Sequence, residues 1–164
     1  MTDIPTSCGS GGFDFLVGRW NVQHRRLQRR LAGCTTWDHF RGRSQLWQVL
    51  DGLGAVDDNW LDLPGGAYRA VTLRSYDAQA QLWSIWWLDG RHPQALDAPL
   101  RGGFDADGTG RFFADDQLDG RPIRVRFTWS HITPHSARWE QAFSDDGGAR
   151  WEINWVMDFE RAAG

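Results

Sequence analysis

The residues that could do chemistry in this chain are few: five histidines, adjacent aspartates within an apolar stretch, and 11 tryptophans. His24 lies four positions after Trp20, in Trp20-Asn21-Val22-Gln23-His24-Arg25-Arg26. Side chains alternate along a strand, so Trp20, Val22, His24 and Arg26 share a face. On an inward face His24 could serve as a general base or a metal ligand. The plainer alternatives are a histidine hydrogen-bonded to a neighbour, or one that a slip of register turns outward. An inward Arg26 would favour a carboxylate or phenolate, which a guanidinium grips with two hydrogen bonds. Asp57-Asp58-Asn59 interrupts a strand-like segment. Acidic residues are depleted in strands, so one of them is aimed into a cavity or the strand is an exposed edge defended by charge. Asp89, before Gly90-Arg91, either caps a turn or stands at a pocket rim. Gln141 alternates with Trp139 and Phe143, and an amide among aromatic rings must find a hydrogen-bond partner in the protein or in a ligand.

Metal chemistry has weaker footing. His131 and His135 are spaced for a helical metal site, but Pro134 between them argues against a helix. His39 and His92 sit in polar surroundings. A metal needs three or four converging ligands, and no such set can be nominated. Cys8 and Cys34 have no Cys-x-x-Cys partner and are expected to be free thiols. No nucleotide, phosphate or nucleophile motif is present, so no cofactor is expected.

These groups need a scaffold. A chain of 164 residues is one domain, and at that size it buries enough surface to dispense with metals and disulfides. All 18 basic residues are arginine, against 21 acidic ones, for a net charge of -3. That balance shows no basic stripe, so nucleic acid is not an expected partner. Gene base composition accounts for the missing lysine; arginine's capacity to stack on aromatic rings is the sharper alternative. Eleven tryptophans against two tyrosines exceed what a small core needs, so some are expected to line a cavity or a contact surface, which leaves a homodimer open. The longest apolar run, residues 82–88, is far short of the roughly 20 residues of a membrane helix. The first residues lack the basic start and apolar core of a signal peptide. The expectation is a cytoplasmic protein with no membrane partner.

Residues 1–12 read as a flexible N-terminal tail and 13–164 as one barrel domain, opening on a short helical turn at Phe13–Val17. Strands are expected at 20–27, within 35–50, and at 55–63, 68–76, 82–88, 100–104, 111–116, 123–130, 137–143 and 151–159. Turn signals such as Asp51-Gly52, Pro64-Gly65-Gly66, Asp89-Gly90 and Asp146-Gly147-Gly148 separate them. Ile123, Val125, Phe127 and Trp129 alternate with polar residues. Trp151, Ile153, Trp155, Met157 and Phe159 do the same, with Val156 out of phase. Arg126, Glu140 and Glu152 fall on the opposite faces, where an ion-pair ladder would form. The fold class is all-β: an up-and-down antiparallel β-barrel of about ten strands, wide enough for one small ligand.

Gly18-Arg19-Trp20 at the start of the first strand resembles the Gly-x-Trp signature of the lipocalin-like (calycin) barrels. There the tryptophan plugs the closed end and an arginine after the last strand packs across it, the place of Arg161 here. Phe13–Trp20, Trp83–Gly90, Ala137–Ser144 and Trp151–Met157 resemble a bacterial family of uncharacterised lipocalin-like proteins. That resemblance implies the fold and carries over no activity. A barrel family of related fold binds haem through one histidine. Its glycine-rich stretch after the tryptophan is replaced here by Asn21-Val22-Gln23-His24, which counts against haem. Ser144-x-Asp146-x-Gly148-x-x-Trp151 resembles the Asp-box, a hairpin brace, with Arg150 in place of the usual threonine; Asp146 is therefore read as structural.

Three functions follow, in order. The first is a binding module that holds a small apolar or aromatic molecule among Trp83, Trp87, Trp129, Trp139 and Trp155, oriented by His24, Arg26, Asn59 and Gln141. The second is a cofactor-independent isomerase, cyclase or lyase in the same cavity, with His24 shuttling a proton and Asp58 or Asp89 as its acidic partner. The third is a structural or interaction protein whose indoles fill a solid core.

Overall fold

A computed structural model describes residues 12–163. Cys8 and nearly all of the expected N-terminal tail lie outside them. After a 3-10 turn at Asp14–Leu16 come ten strands: β1 (Gly18–Leu27), β2 (Trp37–Val49), β3 (Gly54–Leu63), β4 (Gly66–Asp77), β5 (Leu82–Asp89), β6 (Leu100–Phe104), β7 (Gly110–Leu118), β8 (Arg121–Ser130), β9 (Ser136–Ser144) and β10 (Glu152–Arg161). Each strand pairs antiparallel with its neighbour in sequence. β1 also pairs with β10, Val22 opposite Phe159 and Arg26 opposite Trp155, which closes the barrel. Closure gives every strand two neighbours, but β6 is short, so residues 86–89 of β5 and 114–118 of β7 are paired on one side only. No helix among the described residues is long and apolar enough to cross a membrane.

One end of the barrel is shut. The 3-10 turn inserts Phe13, Phe15 and Leu16 among the strand ends. Phe13 meets Trp83 edge-on at 4.9 Å and Phe104 at 5.1 Å, and Phe15 meets Trp129 at 5.6 Å. Trp20 is 1% exposed and donates its indole N–H to the Leu16 carbonyl at 2.8 Å. The Arg161 guanidinium lies 4.2 Å over the Trp20 ring and donates to the carbonyls of Phe15, Val17 and Pro134. Gly18 has φ +115°, and a Cβ there would stand 2.8 Å from the Arg161 guanidinium. Both the backbone angle and the tight fit therefore demand glycine.

The alternation in β10 is reset part-way. Ile153 pairs with Ala142 but Trp155 with Gln141, so Asn154 is an inserted bulge residue. A bulge sets two residues against one and shifts the facing of what precedes it. Ile153, expected to share the inner face with Trp155, is 40% exposed, whereas Asn154 is fully buried. The expected ladder of Arg126, Glu140 and Glu152 does not form either. Arg126 stacks 4.5 Å over Trp151, and Glu152 accepts the Leu31 backbone N–H at 2.7 Å. Across the outer wall Trp47, Val56, Leu73 and Trp86 fall in one register row. The indoles of β5 therefore divide, with Trp83 and Trp87 on the inner side and Trp86 outside.

The hairpin at Ser144–Arg150 is braced as its motif implies. Ser144 Oγ donates to Asp146 Oδ1 at 2.7 Å, and the Arg150 N–H donates to the same oxygen at 2.9 Å. These bonds, first the Arg150 N–H and then Ser144, hold the Asp146 carboxyl down to about 2.

Candidate functional site

The other end of the barrel is hollow. A cavity of about 240 Å³ is walled by Trp87 of β5, Leu100 of β6, Val125 and Phe127 of β8, Trp139 and Gln141 of β9, and Trp155 of β10. Arg26, at the end of β1, also faces it, and Arg30 reaches it from the β1–β2 loop. Asp97, Asp115 and Asp116 stand at its mouth. The indoles are set edge to face: Trp139 against Trp155 at 5.4 Å and 89°, Trp87 against Trp155 at 5.9 Å and 85°. Such packing holds the rings at fixed angles and leaves flat apolar faces for a planar molecule. A deeper chamber of about 30 Å³ shares Trp87, Phe127 and Trp139 with this cavity and is floored by Asp57, Asn59, Thr72 and Arg74. Larger hollows of about 440 and 300 Å³ lie on the outer wall, among outward residues such as Gln23 and Asp158, or Arg43 and Trp60. Both are open grooves on the outside of the sheet.

Of the residues named from sequence, Arg26, Trp87, Trp139, Gln141 and Trp155 meet in the upper cavity. Asn59 and Trp129 line the deeper chamber. His24 and Trp83 line neither; Trp83 belongs to the closed base, against Phe13 and Tyr76. Asp58 points outward and pairs with Arg69 at 2.8 Å. Asp89 pairs with Arg91 at 2.7 Å, and that hydrogen bond holds its carboxyl below the usual carboxylate range. The acidic partners nominated for His24 are therefore not beside it. Asp57, the neighbour of Asp58, is the inward carboxylate.

His24 is 4% exposed and stacks on Phe40 at 4.6 Å. Trp155 donates its indole N–H to His24 Nδ1 at 3.1 Å. The neutral ring then carries its proton on Nε2, which lies so near Gly42 that a Cβ there would be 2.5 Å away. Burial, helped by the Arg26 charge, pushes His24 down to about 3. Its role is to hold Trp155 in the cavity wall. This has a pH consequence. Folded His24 stays neutral down to about pH 3, whereas in the unfolded chain it takes up a proton near 6.5. Between those values the unfolded state binds more protons, so stability falls as pH drops, by up to about 1.4 kcal/mol per unit. Urea midpoints measured from about pH 7 to 4 are expected to fall along that slope, and to flatten in His24→Gln. An equal slope in both proteins would rule this out.

Neither cationic group makes an ion pair among the described residues, although Asp89 acts on Arg26, and Asp119 and Glu152 on Arg30, at longer range. Arg26 lies 4.6 Å over the Trp155 ring, its Nε is buried without a hydrogen-bond partner, and it makes no ion pair among the described residues. Burial lowers its pKa, with the Arg30 charge next. Arg30 donates only a long bond, 3.4 Å, to the Leu27 carbonyl. It is carried over the mouth because Leu31, at φ +53°, latches its N–H onto Glu152. Arg30 was not legible as a site residue, since only the folded loop brings it to the cavity. Gln141 Nε2 donates to Asn154 Oδ1 at 2.8 Å, so the inserted bulge residue supplies the partner that this amide required.

No protein-family model matches the chain, and no curated protein does. Solved structures do. A phycobiliprotein lyase, the S-type CPES from Guillardia theta, superposes with a TM-score of 0.59 at 12% identity, over 93% of this chain and 91% of that one. This chain has a lipocalin-like fold. A second match, EF1p2_mFAP2b bound to DFHBI, has a TM-score of 0.47 at 9% identity, over 93% of this chain and 98% of that one. In this lipocalin-like barrel the place of the expected bacterial sequence family is taken by a likeness of fold. Among the described residues no cluster of three or more metal-ligating side chains occurs.

Proposed function

We propose that this lipocalin-like barrel binds a small planar aromatic molecule bearing a carboxylate or phenolate. Its ring would lie between Trp87, Trp139 and Trp155, with its anionic group on Arg26. The observation that carries this reading is the Arg26 guanidinium, held in an aromatic cavity wall without a carboxylate partner. A buried charge is normally paired, and a cation left open beside an apolar cavity is complementary to an anionic ligand. Arg30 at the mouth adds a second positive charge, with Asp97, Asp115 and Asp116 opposing it there. Shared fold with a phycobiliprotein lyase is compatible with a small-molecule site in the barrel and says nothing of which molecule. Proton-transfer catalysis has less support, because His24 is turned to Gly42 and Trp155, and Asp58 lies outside. A solid core describes the closed base but not the upper half.

The test is quenching of tryptophan fluorescence by 2-naphthoate and by its neutral analogue 2-naphthalenemethanol. Native mass spectrometry of protein purified from its host accompanies it. Binding of the carboxylate at least tenfold tighter than the alcohol is expected. Equal affinity for the two would remove the anionic part of the proposal, and no binding of either would remove the aromatic part.

A further inference from the structure

The deeper chamber has a composition that a purely apolar pocket does not need. Asp57 and Arg74 form an ion pair at 2.7 Å with both side chains 4% exposed. Every carboxylate oxygen is satisfied: Oδ1 accepts the Thr72 N–H at 3.0 Å and the Asn59 amide, and Oδ2 accepts from Arg74. Arg74 is not satisfied. Its Nε is buried with no hydrogen-bond partner, and its guanidinium is packed 4.9 Å over Phe13. A guanidinium has five N–H donors, and leaving one unmatched in a dry interior costs free energy. Arg74 lines the chamber, whose volume of about 30 Å³ matches the space of one small polar group. The remaining walls, Trp129, Met157 and Phe159 among them, are apolar.

We infer that this chamber is a second, hydrogen-bonding subsite of the same cavity, in which Arg74 Nε donates to a neutral oxygen of the bound molecule. The inference rests on the upper cavity being the site of the aromatic body. The carboxylate of Asp57 already neutralises Arg74, so the chamber selects an uncharged acceptor, a hydroxyl or carbonyl, and disfavours a second anion. A hydroxyl fits best, since it accepts from Arg74 and has a proton to give to the Asp57 carboxylate. The ligand class is then a fused aromatic with an anionic group at one end, for Arg26, and a hydroxyl at the other. Trp87, Phe127 and Trp139 border both chambers, so one rigid frame can enter both.

The probes are 6-hydroxy-2-naphthoate and 6-methyl-2-naphthoate, similar in size and charge and different only in the group that would reach the chamber. Wild-type protein is expected to bind the hydroxy compound about tenfold tighter, read from tryptophan quenching. In the double variant Asp57→Leu/Arg74→Met, which removes both charges together, the preference is expected to reverse in favour of the methyl compound. Arg26→Met is expected to weaken both probes and keep their ratio. Equal affinities in the wild type, or a hydroxyl preference that survives in the double variant, would overturn the second subsite while leaving the upper cavity intact. Failure of both probes to bind wild-type protein would overturn the reading of the upper cavity, and this one with it.

Discussion

Arg26→Met is expected to weaken binding of 2-naphthoate by about 10- to 100-fold while leaving the protein as stable as before, or more so. The two effects have one cause. Arg26 is half-buried against Trp155 with an unpartnered Nε and no ion-paired carboxylate, so the desolvation of its charge is only partly offset, by the indole face and by Asp89 at longer range. Hydrogen bonds to a charged group contribute about 1.5–3 kcal/mol, and each 1.4 kcal/mol is about tenfold in affinity. Methionine keeps the length and flexibility needed to cover the Trp155 ring. Isothermal titration with 2-naphthoate and urea denaturation, run on both proteins, check the pair of effects. A variant that loses both affinity and stability would show that Arg26 holds the barrel mouth together, and the case for an anionic ligand would lose its main support.

The second large effect concerns the ion pair beneath the cavity. Asp57→Leu alone leaves the Arg74 guanidinium buried without a counter-charge, and Arg74→Met alone leaves the Asp57 carboxylate so. With both side chains 4% exposed, each single change is expected to cost about 3–5 kcal/mol, because one uncompensated charge stays in a dry interior. Asp57→Leu/Arg74→Met removes both charges and is expected to recover most of that loss, since apolar replacement of a buried pair is often neutral or stabilising. The sum of the two single effects should therefore exceed the double effect by several kcal/mol in a double-mutant cycle measured by urea unfolding. Additive changes would mean that Asp57 and Arg74 are each solvated in some other way, and that the chamber is wet and open.

Why a buried pair persists where two apolar residues would serve stability as well is a question of function. Asp57, Asn59, Thr72 and Arg74 form a polar floor beneath apolar walls that include Trp129, Met157 and Phe159. Under the proposed reading, polarity retained at the bottom of an aromatic cavity would orient the bound molecule.

Much of the barrel could be read from local patterns. A strand's inner and outer faces follow a period of two, and turns follow glycine, proline and aspartate. All ten strands therefore appear where alternation and turn residues place them, from Gly18–Leu27 to Glu152–Arg161. The Gly18-Arg19-Trp20 start and Arg161 meet at the closed base because both chain ends of an up-and-down barrel come together when β1 pairs with β10. The upper cavity was partly legible on the same grounds: Arg26, Trp87, Trp139, Gln141 and Trp155 sit on inward positions of their strands.

What a period of two cannot supply is depth along the barrel and the rotation of a ring. Trp83 and Trp87 share a face of β5, yet one packs into the base and the other walls the cavity. That difference arises only because the 3-10 turn carries Phe13 into one end. His24 faces inward, but its nitrogens are taken up by Trp155 and the space over Gly42, contacts 131 and 18 residues away in sequence. The bulge at Asn154 depends on how β10 registers against β9. Arg30 reaches the mouth only because Leu31 is tied to Glu152. Local alternation and turn chemistry are short-range, so the strands, most of their facing and the barrel can be read from the chain itself. Which inward residues are packed solid, which line a hollow, and which charge is left without a partner depends on side chains meeting across the closed sheet, contacts that form only once distant strands are brought together.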